Sequence, residues 1–354
     1  MNVGIDIRKL HDYGIGTHIR NVVLAAAESD SSRKYFLYCD PDDQQTNNGH
    51  FTWIPESSRK YSVSEHFTLA RKASEMNIDL FHSPHYTLPL RLKCRSIVTI
   101  HDLIHLKFPQ YFPGWKVKAA KFVMNQAIQK ADVILSVSET TKTDILELFP
   151  TAKNKIEIVY NRLSNEWQNE GGGIRLADLG IDSEFLLYVG NFKLHKSIDT
   201  LVNAYLKLKS PPSLVLVGNT GAMDSGLLET VSRNPMIRIF GYAQHNLLRS
   251  LYSETILFIF PSLYEGFGYP PLEAMACGAP VLSSDAPALK EILADDAEFF
   301  ERGNTEQLAH KIQMLIDDSN KRKSMRANGP KRAQKFMTDE SPRKILKIYE
   351  RLSK

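Results

Sequence analysis

The chain is short of cysteine, of net charge and of long apolar runs, and each shortage removes a class of protein. Only Cys39, Cys94 and Cys277 occur in 354 residues, with no metal-type spacing among them. Scattered thiols suit a reducing compartment rather than a disulfide framework, and they read as small core residues. No stretch approaches the roughly 20 apolar residues that cross a bilayer. The opening MNVGIDIRKL is already a short strand pattern with charges rather than a basic-then-apolar leader, so the chain is expected to be made and kept in the cytoplasm. No third glycine follows Gly14-Ile-Gly16 at the dinucleotide-fingerprint spacing, and Asn21 occupies the helix, which argues against a nicotinamide dehydrogenase. A net charge of +4 is too small for a nucleic-acid footprint. That excess lies in residues 1–164, with 21 Lys+Arg against 17 Asp+Glu, while residues 165–354 carry 23 of each. Ordinary surface charge accounts for it, and so would contact with an acidic membrane face.

At 354 residues, 43% of them hydrophobic, the chain exceeds one core of usual size and two domains are expected. The most informative stretch is ILFIFPSLYEGFGYPPLEAMACGAPVLSS, from Ile256 to Ser284. Ile256 to Phe260 is apolar without alternation, as a strand covered on both faces must be. Pro261 stops it, a loop with Glu265, Gly266 and Gly268 follows, and Pro270-Pro271 set φ for the first turn of a helix. Gly278 suits the left-handed residue that ends that helix, and Ala279 to Leu282 restarts an extended segment.

A loop and helix start at the carboxyl end of a parallel strand gather N–H donors and the positive end of a helix dipole, so an anion is the expected guest. Glu265 and Glu273, the latter read in the first helical turn, would be repelled by a phosphate beside them. Each more plausibly accepts hydrogen bonds from sugar hydroxyls. The competing reading is that Glu273 only favours the helix dipole and Glu265 is a solvated loop residue.

The segment Glu265-Gly-Phe-Gly-Tyr-Pro-Pro-Leu-Glu273 resembles the E-x7-E signature of retaining glycosyltransferases of family 4. The resemblance implies a GT-B fold: two Rossmann-like, doubly wound parallel-sheet α/β domains facing a cleft, with a C-terminal helix crossing back. It implies that Glu265 contacts the donor sugar, that the amides of Gly266, Phe267 and Gly268 meet sugar and phosphates, and that Glu273 holds the ribose. It covers nearly the whole chain, most strongly Phe185 to Asp285.

Taken in order, Asn2 to Ile7 reads as a strand, followed by the turn with Gly14 and Gly16 and a helical pattern from Thr17 to Ala27. Such a glycine pair is a structural turn or, as similar turns in the family imply, a substrate contact. Pro41 to Asn48 is polar and reads as a loop. The strand Arg95 to Ile100 runs into His101-Asp102, where the family carries a histidine beside the donor sugar. Asp102 reads chiefly as a loop cap. Gly114 to Lys130 is a helical pattern with Trp115, Phe122 and three early lysines, suited to packing on its own sheet or to lying on lipid. Ser138 reads as the cap of the helix Thr140 to Phe149. A hinge is expected between Asn161 and Gly173, and Arg162 stands where many family members have glycine.

Strand patterning restarts at Phe185, Leu214, Ile237, Ile256 and Pro280, with helices between. The loop Gly190-Asn-Phe-Lys193-Leu-His-Lys196 follows the first of these strands, and the resemblance gives Lys196 the departing diphosphate. Where the commonest pattern has an arginine directly after the glycine, this chain has Asn191, so that arginine's place falls to Asn191 or Lys193. Beyond Asp285 the chain reads as helical, its last helix near Pro342 to Leu352.

These readings give an acceptor-side domain over 1–164, a nucleotide-sugar domain over 165–338 and a returning helix over 339–354. The resemblance implies metal- and cofactor-independent retaining transfer of a hexose to a glycan or polyprenyl-linked acceptor. Because HDLIHLKFPQYF and YVGNFKLHK are similar to bacterial mannosyltransferases of surface polysaccharide assembly, mannose from GDP-mannose is the first choice, with UDP-sugars open. His101, Lys196 and Glu265 are its catalytic set; Gly14, Gly16, Gly190, Asn191, Lys193, Gly266, Phe267, Gly268 and Glu273 bind substrate. No nucleic acid is expected, and peripheral membrane contact stands as an alternative to ordinary packing of the helix Gly114 to Lys130. The alternatives are a sugar-nucleotide epimerase of the same fold and a nucleotide-sugar-binding protein without chemistry.

Overall fold

A computed structural model describes residues 1–28, 33–168, 173–181 and 184–353; of the stretch read as a hinge, residues 169–172 lie outside the described residues. The chain divides into two compact units, Met1–Arg162 with Thr338–Lys354, and Leu163–Met337.

The first unit is built on strands β1 (Asn2–Asp6), β2 (Lys34–Cys39), β3 (Phe51–Pro55), β4 (Leu80–Ser83), β5 (Arg95–Ile100), β6 (Val133–Ser136) and β7 (Ile156–Ile158), in the order β3-β2-β1-β4-β5-β6-β7. All neighbours are parallel, with Ile5 of β1 opposite Leu37 of β2 and His82 of β4. Parallel neighbours need long crossovers, and the helices that make them cover both faces. On one face Ile5, Leu37, Leu80 and Leu135 pack with Ile19 and Val22 of the helix Tyr13–Ala27. The last helix, Glu340–Leu352, joins them through Ile345, Ile348 and Tyr349, the three- and four-residue spacing of one helical stripe. On the other face Phe81, Val98 and Ile134 meet Leu69, Met124 and Ile145 from three further helices. Gly114–Lys130 is helical over the span its periodicity predicts.

The second unit carries β8 (Phe185–Val189), β9 (Ser213–Val217), β10 (Ile237–Phe240), β11 (Leu257–Phe260), β12 (Val281–Ser284) and β13 (Glu298–Phe300), in the order β10-β9-β8-β11-β12-β13, again all parallel. Each sheet reverses its winding once, between β1 and β4 and between β8 and β11. Loops diverge at such a switch point, and open α/β sheets take their ligands there.

Three sequence readings need correction. β3 and β13 were not expected: β3 buries only Ile54 and β13 only Phe300, so neither carries the continuous apolar run of a central strand. The first helix begins at Tyr13 rather than Thr17, which puts Gly14 and Gly16 inside its first turns. A Cβ on Gly16 would lie 2.1 Å from the Leu10 carbonyl oxygen, so packing alone requires glycine there. Glu273 sits past the first turn of its helix, Tyr269–Ala276. Arg162, in place of the family's glycine, is ion-paired to Asp339 at 3.2 Å, while its carbonyl accepts the Asn21 amide at 2.8 Å.

Candidate active site

At the switch point of the second sheet the loops after β8 and β11 are laced together. The Leu263 N–H and Ser262 Oγ both donate to the His195 carbonyl, at 2.7 and 3.3 Å, and Ser284 Oγ at the end of β12 donates to the Ser262 carbonyl. This brings Lys196, on the short turn Leu194–Lys196, against Glu265: Nζ and Oε1 are 2.5 Å apart and both side chains are largely buried. The ammonium also lies 5.4 Å from the centre of the Phe260 ring. A half-buried ion pair keeps both charges at the price of desolvation, and either partner left alone would be strongly disfavoured. A phosphate can compete for the lysine, and sugar hydroxyls can compete for the carboxylate.

The loop beyond Glu265 has its own reason for glycine. Gly268 sits at φ 104°, where a Cβ would lie 2.5 Å from Leu289, and it precedes the helix Tyr269–Ala276. Pro270 and Pro271 carry no N–H, so the helix end supplies fewer donors than an ordinary one. The Phe267 side chain is buried against Tyr269 and Phe336, which leaves its main chain to face a ligand.

Glu273 accepts the Tyr252 hydroxyl at 3.3 Å. Burial pushes its carboxyl up to about 7, and the Tyr252 bond pulls the other way by favouring the charged form. Tyr252 is itself buried between Trp167 and Phe258. In the β8 loop the Gly190 N–H is tied to the Val217 carbonyl, the Asn191 side chain accepts the Lys193 N–H at 3.4 Å, and Lys193 is exposed. Of the two lysines in that loop, Lys196 is the one against Glu265.

In the first unit His101 leaves β5 with Nε2–H donating to the Pro84 carbonyl at 3.0 Å and its ring 4.9 Å edge-on from His18. Burial lowers its pKa, so the neutral ring is favoured and Nδ1 is its lone-pair nitrogen. Asp102 does not turn to this ring; its Oδ1 accepts the Ile104 N–H at 3.0 Å as a loop cap. Behind His101 lies a buried polar chain that sequence reasoning missed. Tyr349 donates to His82 Nδ1 at 2.6 Å, His82 Nε2 and His18 Nε2 share the Thr99 hydroxyl at 3.1 and 3.3 Å, and His18 Nδ1 meets Asn161 at 2.9 Å. Tyr252 was missed as well; its helix shows only ordinary amphipathic spacing. Among the described residues no group of three or more His, Cys, Asp or Glu side chains is placed to hold a metal.

Two doubly wound parallel-sheet units in one chain are the architecture of the GT-B fold. One family model, glycosyl transferases group 1, matches residues 177–332, and another, glycosyltransferase family 4, matches residues 13–163. Over 289 residues the chain is 29% identical to the O-antigen chain mannosyltransferase B of Escherichia coli, which spans 77% of this chain and 74% of that one. Sucrose-phosphate synthase from Thermosynechococcus elongatus matches with a TM-score of 0.83 at 18% identity over 99% of both chains. The HepE protein of Anabaena, solved with UDP and glucose, gives 0.77 at 17% identity over 100% of this chain and 99% of that one. With a matched domain in each unit, the chain belongs to the family 4, group 1 glycosyltransferases.

Proposed function

We propose that the protein is a retaining, metal-independent hexosyltransferase that moves mannose from GDP-mannose to a glycan or polyprenyl-linked acceptor of cell-surface polysaccharide. The observation that carries this is the Lys196–Glu265 pair at the switch point of the second sheet. It supports the reading because a cation suited to a departing diphosphate stands beside a carboxylate suited to sugar hydroxyls, and nucleotide-sugar chemistry needs the two together. Likeness to an O-antigen mannosyltransferase supports mannose as the first donor to test.

In this reading Lys196 and the loop amides of Gly266, Phe267 and Gly268 stabilise charge as the diphosphate leaves, acting where charge develops. Glu265 holds the donor hexose and Glu273 the ribose. His101, neutral and held by Pro84, offers its Nδ1 lone pair on the first unit. The acceptor hydroxyl attacks from the face the diphosphate leaves, giving up its proton to that phosphate, so the anomeric configuration is retained. The acceptor belongs to the first unit.

Membrane contact in this reading is peripheral and cytoplasmic. Trp115 and Phe122 are 69% and 60% exposed, and with Lys118 and Ala119 they form one open stripe of the helix Gly114–Lys130. From Leu103 to Ala131 there are five lysines and no Asp or Glu, which suits an anionic lipid face. No described helix is long and apolar enough to cross a membrane.

Thermal-shift measurement against GDP-, UDP- and ADP-sugars tests the donor, because a ligand that binds only the native state raises its melting temperature. GDP-mannose is expected to give the largest rise. A flat response to every sugar nucleotide would overturn the assignment.

A further inference from the structure

The first unit carries a second built cluster, at the carboxyl edge of β1, β2 and β3, that none of the steps above uses. The loop leaving β3 borders an open pocket of about 630 Å³ whose lining includes Asp40, Asp42, Arg59, Lys60 and Tyr61. Tyr61 is the unusual member. Its φ of 64° lies in the left-handed region that residues with a side chain rarely adopt, yet its side chain is a large aromatic and is 54% exposed. An exposed left-handed turn would ordinarily take glycine or asparagine, so the ring is not there for the turn.

The backbone at Tyr61 is held by buried charges. Its N–H donates to Glu65 Oε2 at 2.6 Å. Glu65 is paired with Arg8 at 3.4 Å, and Arg8 is paired with Asp6 at 2.7 Å and reaches the Ser58 carbonyl at 3.4 Å. Glu56, paired with Lys72 at 3.0 Å, accepts the Ser58 N–H at 2.8 Å. Arg8, Glu56 and Glu65 are all buried, and burying charge is costly enough that a plain connection between strand and helix has no use for it.

The phenol end is fixed as well. The Tyr61 hydroxyl is bonded by Lys9 Nζ and, at 3.1 Å, by His85 Nε2, and the His85 ring meets the tyrosine edge-on at 5.4 Å. His85 is 6% exposed, and its Nδ1 has no hydrogen-bond partner among the described residues, a polar atom that a ligand or water would satisfy. The dipeptide Pro84-His85 therefore holds both His101, through the Pro84 carbonyl, and Tyr61, through the His85 ring.

Lys9 Nζ lies over one face of the Tyr61 ring, 4.1 Å from its centre, and the rest of the ring is about half exposed. A rigid aromatic ring held in this way and bordered by carboxylates matches a pyranose: C–H groups lie against the uncovered part of the ring while hydroxyls reach the charged rim. Asp40 and Asp42 weigh against a phosphate at this place, and Lys60, 3.0 Å from Asp40, keeps the rim able to donate as well as accept. We infer that Tyr61 is a stacking platform for a pyranose of the acceptor glycan, with Asp40, Asp42 and Lys60 as its hydroxyl partners. The inference rests on the reading of the first unit as the acceptor side.

Saturation-transfer NMR with octyl α-glycosides of mannose, glucose and galactose tests it without catalysis. The wild-type protein should transfer saturation to the ring protons of at least one glycoside, Tyr61→Phe should keep that signal, and Tyr61→Gly should lose about tenfold in affinity. The glycine variant relieves the left-handed backbone but gives up the bonds to Lys9 and His85, so its binding is measured at a temperature where circular dichroism shows it folded, which separates loss of binding from loss of fold. Equal binding in Tyr61→Gly, or no saturation transfer to any glycoside in the wild type, overturns the platform. Donor binding and turnover are read separately. Saturation transfer that persists while no sugar nucleotide is bound would sink the transferase reading and leave the sugar platform standing.

Discussion

Lys196 Nζ lies 2.5 Å from Glu265 Oε1, an ion pair between the loops that follow β8 and β11. Lys196→Ala and Glu265→Gln are each expected to cut turnover by at least about tenfold, roughly 1.4 kcal/mol in the barrier. The double variant should lose less than the sum, because each single change leaves an uncompensated charge. Steady-state kinetics with the donor found by thermal shift decides, and full activity in Lys196→Ala removes it from the diphosphate role.

Glu273 gives a pH dependence with a definite sign. Burial raises its carboxyl from 4.5 to about 7, so between those values the unfolded chain has lost a proton that the folded one keeps. Its contribution to stability is therefore most favourable below about 4.5 and declines as pH rises to about 7. Donor binding should run the opposite way, since ribose hydroxyls need the ionised carboxylate, and should weaken as pH falls below 7. Tyr252→Phe removes the bond that favours the charged form and should move that midpoint upward. Calorimetric donor titrations across this range would show a pH-independent affinity if Glu273 does not meet the ribose.

The buried histidines of the first unit have the reverse sign. Burial lowers His18 and His101 and brings His82 down to about 3. The unfolded chain takes up protons below its ordinary 6.5 while the folded one resists. Stability is thus fully present above 6.5 and is lost as pH falls through the acid range. His82→Gln should flatten melting temperature against pH between about 4 and 6.5, and an unchanged slope would remove His82 from this role.

Transfer should survive EDTA, because Lys196 and the loop amides are read as supplying the positive field that a divalent ion supplies elsewhere. Activity abolished by chelation and restored only by magnesium or manganese would contradict that.

For the helix Gly114–Lys130, sedimentation with phosphatidylglycerol vesicles is expected to capture the wild-type protein, and neutral vesicles should capture less. Replacing Lys118 and Lys121 with Glu should weaken capture at least tenfold, given about 1 kcal/mol per basic residue near an anionic surface. Trp115→Ala with Phe122→Ala should weaken it at every salt concentration, whereas the lysine effect should fade as salt is raised. Equal capture by both vesicle types in all variants would leave the helix as ordinary packing.

Local pattern carried a good deal of this. Unbroken apolar runs such as Leu257–Phe260 announce central parallel strands because both of their faces are covered. The glycines and prolines between Glu265 and Glu273 announce the turn from β11 into the helix Tyr269–Ala276, because they fix the backbone there. The helix Gly114–Lys130 was legible for the same reason, its own periodicity. β3 and β13 were not, since β3 buries only Ile54 and β13 is three residues that bury only Phe300, too little apolar pattern to mark a strand.

What the sequence by itself determined is thus the alternation of strand and helix and the chemistry of single turns, properties set by residues within a few positions of each other. Only the tertiary structure decided which residues share a bond across the chain: Lys196 with Glu265, 69 positions apart, and His82 with Tyr349, 267 apart. The physical reason is sheet order. Winding that starts in the middle and reverses once brings the ends of strands distant in sequence side by side, and no local pattern records which ends will meet.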